Sequence, residues 1–137
     1  MGTVNHLISV DEAGRLAFGD FTLPEKTKQS GFEFDGDVYK VKTFKDITKL
    51  EKNDLFVYES VPGTAVSEFE VRGDQVSFKV EGETDAQITL ELEPEQAYEV
   101  IVDGVSAGQV KTNLGGKLVL SATLSTGIKQ IAVSKAI

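Results

Sequence analysis

Apolar and polar residues alternate one by one along most of this chain, and this period of two is its strongest structural constraint. In the stretch 75–82, Val76, Phe78 and Val80 fall on one side and polar residues fall on the other. The stretch 87–93 repeats the pattern. Such alternation is typical of an antiparallel strand with one face in the core and the other in solvent. The sequence therefore predicts strands along most of its length.

Short turn sequences separate the alternating stretches. Asp35-Gly36 and Asp103-Gly104 each join two apolar runs, and Asp-Gly pairs supply the positive φ angles that tight hairpins need. About ten strands with regularly spaced turns predict an all-β fold, either an antiparallel β-sandwich or a flattened barrel. We expect one domain over 1–137, with a possible division at SVPGTAV, residues 60–66.

Two segments interrupt the alternation. In 44–54, FKDITKLEKND, the apolar residues Phe44, Ile47 and Leu50 recur every three residues, which predicts one short helix or helical turn. Segment 24–31, PEKTKQSG, is polar and predicts a loop. Because loops on a rigid scaffold often carry function, we expect any site on these two segments or on a sheet face. The hairpin region 98–116 is interpreted as structural.

Charge and composition exclude several partners. The chain has 22 acidic and 14 basic residues, a net charge of −8, and its lysines are spread from Lys26 to Lys135. This balance predicts no nucleic-acid partner and no binding to an anionic membrane surface. No run approaches the 18 apolar residues of a membrane helix, and MGTVNHLISV lacks the pattern of a signal peptide. A soluble, cytoplasmic protein is the default expectation.

The residues of common catalytic and metal sites are scarce. Cysteine is absent, and the single histidine, His6, is interpreted as a side chain of the first strand rather than a triad member or metal ligand. Asp35 and Asp37 offer oxygen ligands, but the spaced acidic set of a calcium loop is missing, so we interpret 35–37 as a turn. The tripeptide 72–74, RGD, is interpreted as a hairpin tip. We predict no cofactor and no metal.

Acidic residues leave one enzymatic alternative open, a small glycoside hydrolase that uses two carboxylates. The candidate pairs on short turns are Asp11 with Glu12, Asp35 with Asp37, and Glu83 with Asp85. A glycosidase cleft is commonly walled by aromatic faces, whereas this chain has no tryptophan and three tyrosines, and most of its eight phenylalanines fall at inward-alternating positions. We therefore predict no catalytic residue.

The sequence resembles known proteins in two ways. Residues 97–135, from AYEVIVDG to KQIAVSK, resemble the accessory β-sandwich modules of polysaccharide-processing enzymes. Over 5–135, through GRLAFGDFTL, VYKVKTF, LFVYESVPGTAV and QVKTNLGGKL, the chain is similar to small clostridial proteins that carry an endosialidase label. Sialidases grip a carboxylate with three arginines, whereas this chain has only Arg15 and Arg72 and no tryptophan. We infer that the label does not describe a sialidase activity here.

Three functions remain as hypotheses. The first is a non-catalytic binding or interaction module for a glycan or a protein, in which Tyr39, Tyr58 or Tyr98 is exposed and contacts the ligand; the alternative for each ring is cross-strand packing. The second is a homo-oligomeric assembly protein, since a sheet must cover its edges. The third is the carboxylate hydrolase.

Overall fold

A computed structural model describes residues 7–136, and within that range the chain consists of strands and turns. The all-β prediction is confirmed, but the described range contains thirteen strands rather than about ten. No helix in 7–136 is long and apolar enough to span a membrane. His6 lies outside the described residues.

The seven-stranded sheet combines the first strands of the chain with strands of its second half. Its spatial order is β1 (Ile8–Val10), β2 (Leu16–Phe18), β7 (Ala65–Arg72), β8 (Gln75–Glu81), β13 (Lys129–Lys135), β10 (Ala97–Val102) and β11 (Val105–Lys111). All neighbours in this sheet are antiparallel.

The six-stranded sheet is also antiparallel. Its spatial order is β12 (Lys117–Ala122), β9 (Ala86–Glu91), β6 (Leu55–Val61), β5 (Ile47–Lys52), β4 (Asp37–Phe44) and β3 (Thr27–Phe34). Neither sheet closes on itself, so the two-sheet sandwich describes the fold and the flattened barrel does not.

The predicted helical turn over 44–54 is wrong, because this segment is the end of β4, all of β5 and the turn that follows. A two-residue turn, Lys45-Asp46, makes Phe44 and Ile47 direct cross-strand partners. Residues at i and i+3 become neighbours across such a turn just as they do on a helix, which explains the misleading spacing. Leu50 lies on the opposite face of the sheet and is fully buried.

The predicted loop over 24–31 is also wrong in part, since residues 27–31 belong to β3. This strand forms an edge of the six-stranded sheet, where polar residues protect an open row of backbone groups. Gln29 faces inward, and its side-chain oxygen accepts a hydrogen bond of 3.0 Å from the Leu7 amide. The polar composition therefore marks an edge strand rather than a loop.

Inward-facing side chains of both sheets form the core, and the alternation predicted for 75–82 is confirmed by the burial of β8. Tyr58 of the six-stranded sheet packs edge-to-face on Phe18 and Phe78 of the other sheet, with ring centroids 5.2 and 5.7 Å apart. Phe69 adds a further edge-to-face contact with Phe18 at 5.5 Å. Edge-to-face pairs add to the energy of area burial, so this aromatic cluster stabilises the packing of the two sheets.

A buried hydroxyl network holds the segment 62–64, where the chain crosses from β6 to β7 and so from one sheet to the other. Thr48 donates to the Thr64 carbonyl at 2.8 Å and accepts from the Thr64 amide at 3.0 Å. The Thr64 hydroxyl bonds to those of Tyr58 and Ser60, and Thr48 bonds to Thr43. All five residues are completely buried. The position of the possible division at 60–66 is therefore tied to the core by hydrogen bonds.

Candidate functional site

A cleft opens where two neighbouring strands of the six-stranded sheet part. β6 pairs with β9 only from Tyr58 to Val61, and a register shift between Leu50 and Glu51 leaves Val57 as an extra residue on β6. Such a bulge bends the strand and disrupts its ladder locally, although β5 and β6 pair again at Glu51 and Phe56. The start of β6 consequently diverges from the end of β9, and a cavity of about 720 Å³ forms beside them. We call it the β6–β9 cleft.

The floor of the β6–β9 cleft is apolar. Phe69 and Val76 of the seven-stranded sheet and Leu92, which follows β9, line it together with Val57. Ligand pockets are concave and mostly hydrophobic with a few polar groups, and the cleft shares these features.

Two exposed apolar side chains also line the cleft. Leu55, at the start of β6, is 71% exposed, and Val71, near the end of β7, is 62% exposed. They stand beside the turns 53–54 and 73–74, where Asn53, Asp54 and Gly73 all have positive φ. Exposed apolar side chains next to an apolar cavity are typical of an interaction site.

Charged residues line another part of the cleft around the half-buried ring of Phe56. The Lys117 ammonium nitrogen lies 4.6 Å from the centroid of this ring and also pairs with Glu91. The Lys49 nitrogen lies 5.9 Å from the same centroid. A cation within about 6 Å of an aromatic face is attracted by the ring. The cleft thus combines an apolar floor with charges of both signs.

Glu51 is the best-anchored charge of the cleft. Its carboxylate accepts from Lys40 at 3.1 Å and lies 3.7 Å from Lys49. The hydrogen bond from Lys40 and the nearby ammonium charges hold the pKa of Glu51 below its ordinary value, against a smaller opposing effect of burial. Glu51 is therefore a fixed anion at neutral pH. A general acid needs a raised pKa instead.

The prediction of exposed tyrosine rings is wrong, because all three are buried. Tyr39 is 8% exposed and lines the cleft, and burial, together with Asp37 and Asp35, raises the pKa of its hydroxyl. Tyr58 belongs to the hydroxyl network, and burial raises its pKa strongly. The Tyr98 hydroxyl accepts a hydrogen bond from the backbone amide of Glu93. Tyr39 and Tyr98 alternate in phase with Val41 and Val100, so their rings pack in the core, and Tyr58 faces inward directly after the bulge of β6. None presents a face on which a sugar could stack.

Of the three predicted carboxylate pairs, only one has a member in contact with the cleft. The Asp37 carboxylate accepts a hydrogen bond of 2.9 Å from the side-chain amide of Asn53 and lies 3.7 Å from the Lys52 nitrogen, and both of these residues line the cleft. The structure places Asp11 and Glu12 in the β1–β2 connection, Asp35 and Asp37 at the β3–β4 turn, and Glu83 and Asp85 in the β8–β9 connection. Asp35 and Gly36 both have positive φ, as the turn interpretation requires. Asp11 bonds to Arg15, whose backbone amide above all lowers the pKa of its carboxyl.

Sequence reasoning missed the cleft, although one pattern marks it. Residues 55–58, LFVY, are four apolar residues in succession, and this run breaks the alternation where β6 bulges. In residues 7–136 no group of three or more acidic, histidine or cysteine side chains is placed to hold a metal ion.

Comparison of the chain with protein-family models, with curated proteins and with solved structures finds no match. The resemblance to accessory modules and to endosialidase-labelled proteins therefore stays a prediction. What the fold defines is a class, the antiparallel two-sheet all-β proteins.

Proposed function

We propose that this protein is a non-catalytic binding module, and that the β6–β9 cleft holds an apolar side chain of a protein partner. The observation that carries the proposal is the cleft itself: an apolar floor in a break of the sheet, beside two exposed apolar side chains. Leu55 and Val71 are exposed to water in the isolated protein. A partner that covered them would bind more tightly, since burying apolar surface is favourable.

The chemistry of the cleft supports binding rather than catalysis. Its ionisable side chains are Glu51 and Glu91 with lysine partners, Tyr39, and the residues Lys52 and Asp54 near the turn. A two-carboxylate mechanism requires one carboxyl with a raised pKa to act as the general acid, whereas Lys40 lowers the pKa of Glu51. The carboxylates of Glu51 and Glu91 sit in ion pairs, which suits them to orient the polar part of a bound segment.

A protein ligand fits the cleft better than a glycan. Sugar rings bind to exposed aromatic faces, and the three tyrosines proposed for that role are in the core. Phe56 is half-buried and is approached by two lysines. An apolar side chain, by contrast, needs only the concave floor.

Selection from a phage-displayed peptide library tests this proposal. Peptides selected on the immobilised protein are expected to share an apolar anchor residue and to lose binding to Val71→Glu. Val105→Glu is the matched control, because Val105 is 70% exposed and does not line the cleft. Peptides that bind both variants equally, or ligands found only on a glycan array, would overturn the proposal.

A homo-oligomeric assembly protein is the second candidate, and the exposure of β11 favours it. This strand is the edge of the seven-stranded sheet, and residues 105–109 are exposed on both faces. An open edge is a template for another strand, although the break in its ladder and the positive φ of Gly108 limit this tendency. Sedimentation velocity separates the candidates: a strict monomer at all concentrations contradicts assembly, whereas self-association abolished by Val105→Glu supports it.

A further inference from the structure

Three lysines stand side by side on the outer face of the six-stranded sheet. Lys28 of β3 is the cross-strand partner of Lys42 in β4, and Lys42 is the partner of Lys49 in β5. Since neighbouring strands are about 4.8 Å apart, three ammonium groups start from backbone positions within roughly 10 Å. We call these three residues the lysine row.

The lysine row is unfavourable for the isolated protein. Like charges directly opposite each other in a sheet are destabilising. Within residues 7–136 no carboxylate lies within 4 Å of the ammonium nitrogen of Lys28 or Lys42, and Lys49 shares Glu51 with Lys40. The chain has 22 acidic residues against 14 basic ones. Glu51 attracts Lys49 and, at longer range, Lys42, but in the described range Lys28 and Lys42 have no carboxylate in direct contact, although the chain is acidic overall.

We infer that the lysine row binds a short acidic segment of a protein partner. Carboxylates placed over the row would turn two repulsive contacts into attractive ones, and the flexible lysine side chains can follow their positions. The row shares Lys49 with the charged part of the β6–β9 cleft, whereas Lys28 and Lys42 do not line the cleft, so this binding does not depend on the proposed function.

The surroundings of the row favour a short segment over a long polyanion. The next residue along the row is Glu59, the cross-strand partner of Lys49, and Glu51 lies beside it. A nucleic acid or a polyuronate that extended past the row would meet these carboxylates in a protein of net charge −8. A few consecutive acidic residues avoid them.

A charge-deletion series with a soluble probe tests the inference. The probe is a synthetic oligoglutamate peptide, titrated into the intact protein at low salt and followed by amide NMR spectra. Lys28→Gln and Lys42→Gln remove charges of the row. Lys111→Gln is the matched control, because Lys111 is exposed as Lys28 is, lies on β11 of the other sheet, and its replacement changes the net charge by the same amount. Polygalacturonate and single-stranded DNA replace the peptide in parallel titrations.

The expected result is a set of shift changes centred on the lysine row that weaken as salt is added. Each row variant should bind roughly two- to fivefold more weakly, as for a partly exposed ion pair, and Lys111→Gln should bind like the unaltered protein. Equal weakening by all three variants would show a non-specific charge effect and overturn the inference. Absence of peptide binding, or binding of only polygalacturonate or DNA to the row, would overturn it as well. Neither result affects the cleft.

Discussion

Replacing Thr48 with valine removes one hydroxyl from the centre of the buried network and nearly preserves the shape of the side chain. The Thr48 hydroxyl has a single proton, which it donates to the Thr64 carbonyl. It therefore accepts from both the Thr64 amide and the Thr43 hydroxyl. Valine leaves all three of these groups without this partner. Water does not reach them, since the residues are completely buried.

The magnitude follows from the cost of stranded polar groups. A buried donor or acceptor without a partner costs about 1–3 kcal/mol. The two backbone groups of Thr64 and the Thr43 hydroxyl together predict a loss of about 3–5 kcal/mol in the free energy of unfolding. That is a large part of the 5–15 kcal/mol that is typical of a native domain.

Urea unfolding followed by far-UV circular dichroism measures this loss, and it suits a chain without tryptophan. Thr89→Val is the matched control, because Thr89 lies on the outer face of β9 and is only half-buried. It should change stability by no more than about 0.5 kcal/mol. Thr48→Ser keeps the hydroxyl and should retain most of the stability. A loss below about 1 kcal/mol for Thr48→Val, with an unchanged denaturant slope, would refute the reasoning.

Three further predictions concern charge, pH and close packing. Lys42→Glu should stabilise the protein by about 0.5–1 kcal/mol and raise the midpoint of thermal unfolding by a few degrees, because the two cross-strand pairs that become attractive outweigh the lost attraction between Lys42 and Glu51. Glu51→Gln should lower stability at neutral pH, because the hydrogen bond from Lys40 and the nearby ammonium charges stabilise only the ionised form of Glu51. The deficit should begin to shrink as the pH falls below the ordinary pKa of 4.5 and should vanish only below the lowered pKa of the native state; Glu59→Gln is the control, and a deficit independent of pH contradicts the reasoning. Gly63→Ala should destabilise by about 2 kcal/mol or more, since its Cβ would lie 2.0 Å from a backbone oxygen, whereas Gly115→Ala has room and should be nearly neutral in the same urea assay.

Features of the fold that depend on local sequence could be predicted. The alternation in 75–82 and 87–93 identifies β8 and β9 because one face of each strand is dry and the other is wet. The sequence also predicts the turns at Asp35-Gly36 and Asp103-Gly104, because positive φ at two successive positions favours these residue pairs.

The errors have local physical causes. The turn Lys45-Asp46 contains no glycine, so β4 and β5 were not separated and the spacing across their hairpin imitated a helix. The turn Asn53-Asp54 has positive φ at both positions without any glycine. The burial of one member of the hydroxyl network could have been predicted from the sequence, because Thr43 alternates in phase with the buried apolar residues of β4.

The candidate sites could not be predicted, because they depend on which strands become neighbours. The β6–β9 cleft requires that β9 follow β6 across the sheet and that their pairing end at Tyr58. The lysine row exists only in the observed registers of β3, β4 and β5; a shift of one residue would move Lys42 to the other face of the sheet. Alternation alone does not fix these registers.

An NMR titration of the intact protein with a library-selected peptide tests the central claim most directly. The account predicts that amide shift changes concentrate on Val57, Leu92 and Val76, which line the β6–β9 cleft, and that an otherwise folded Val71→Glu variant shows none of them. Shift changes elsewhere on the sandwich, or the same affinity for Val71→Glu as for the unaltered chain, would contradict it.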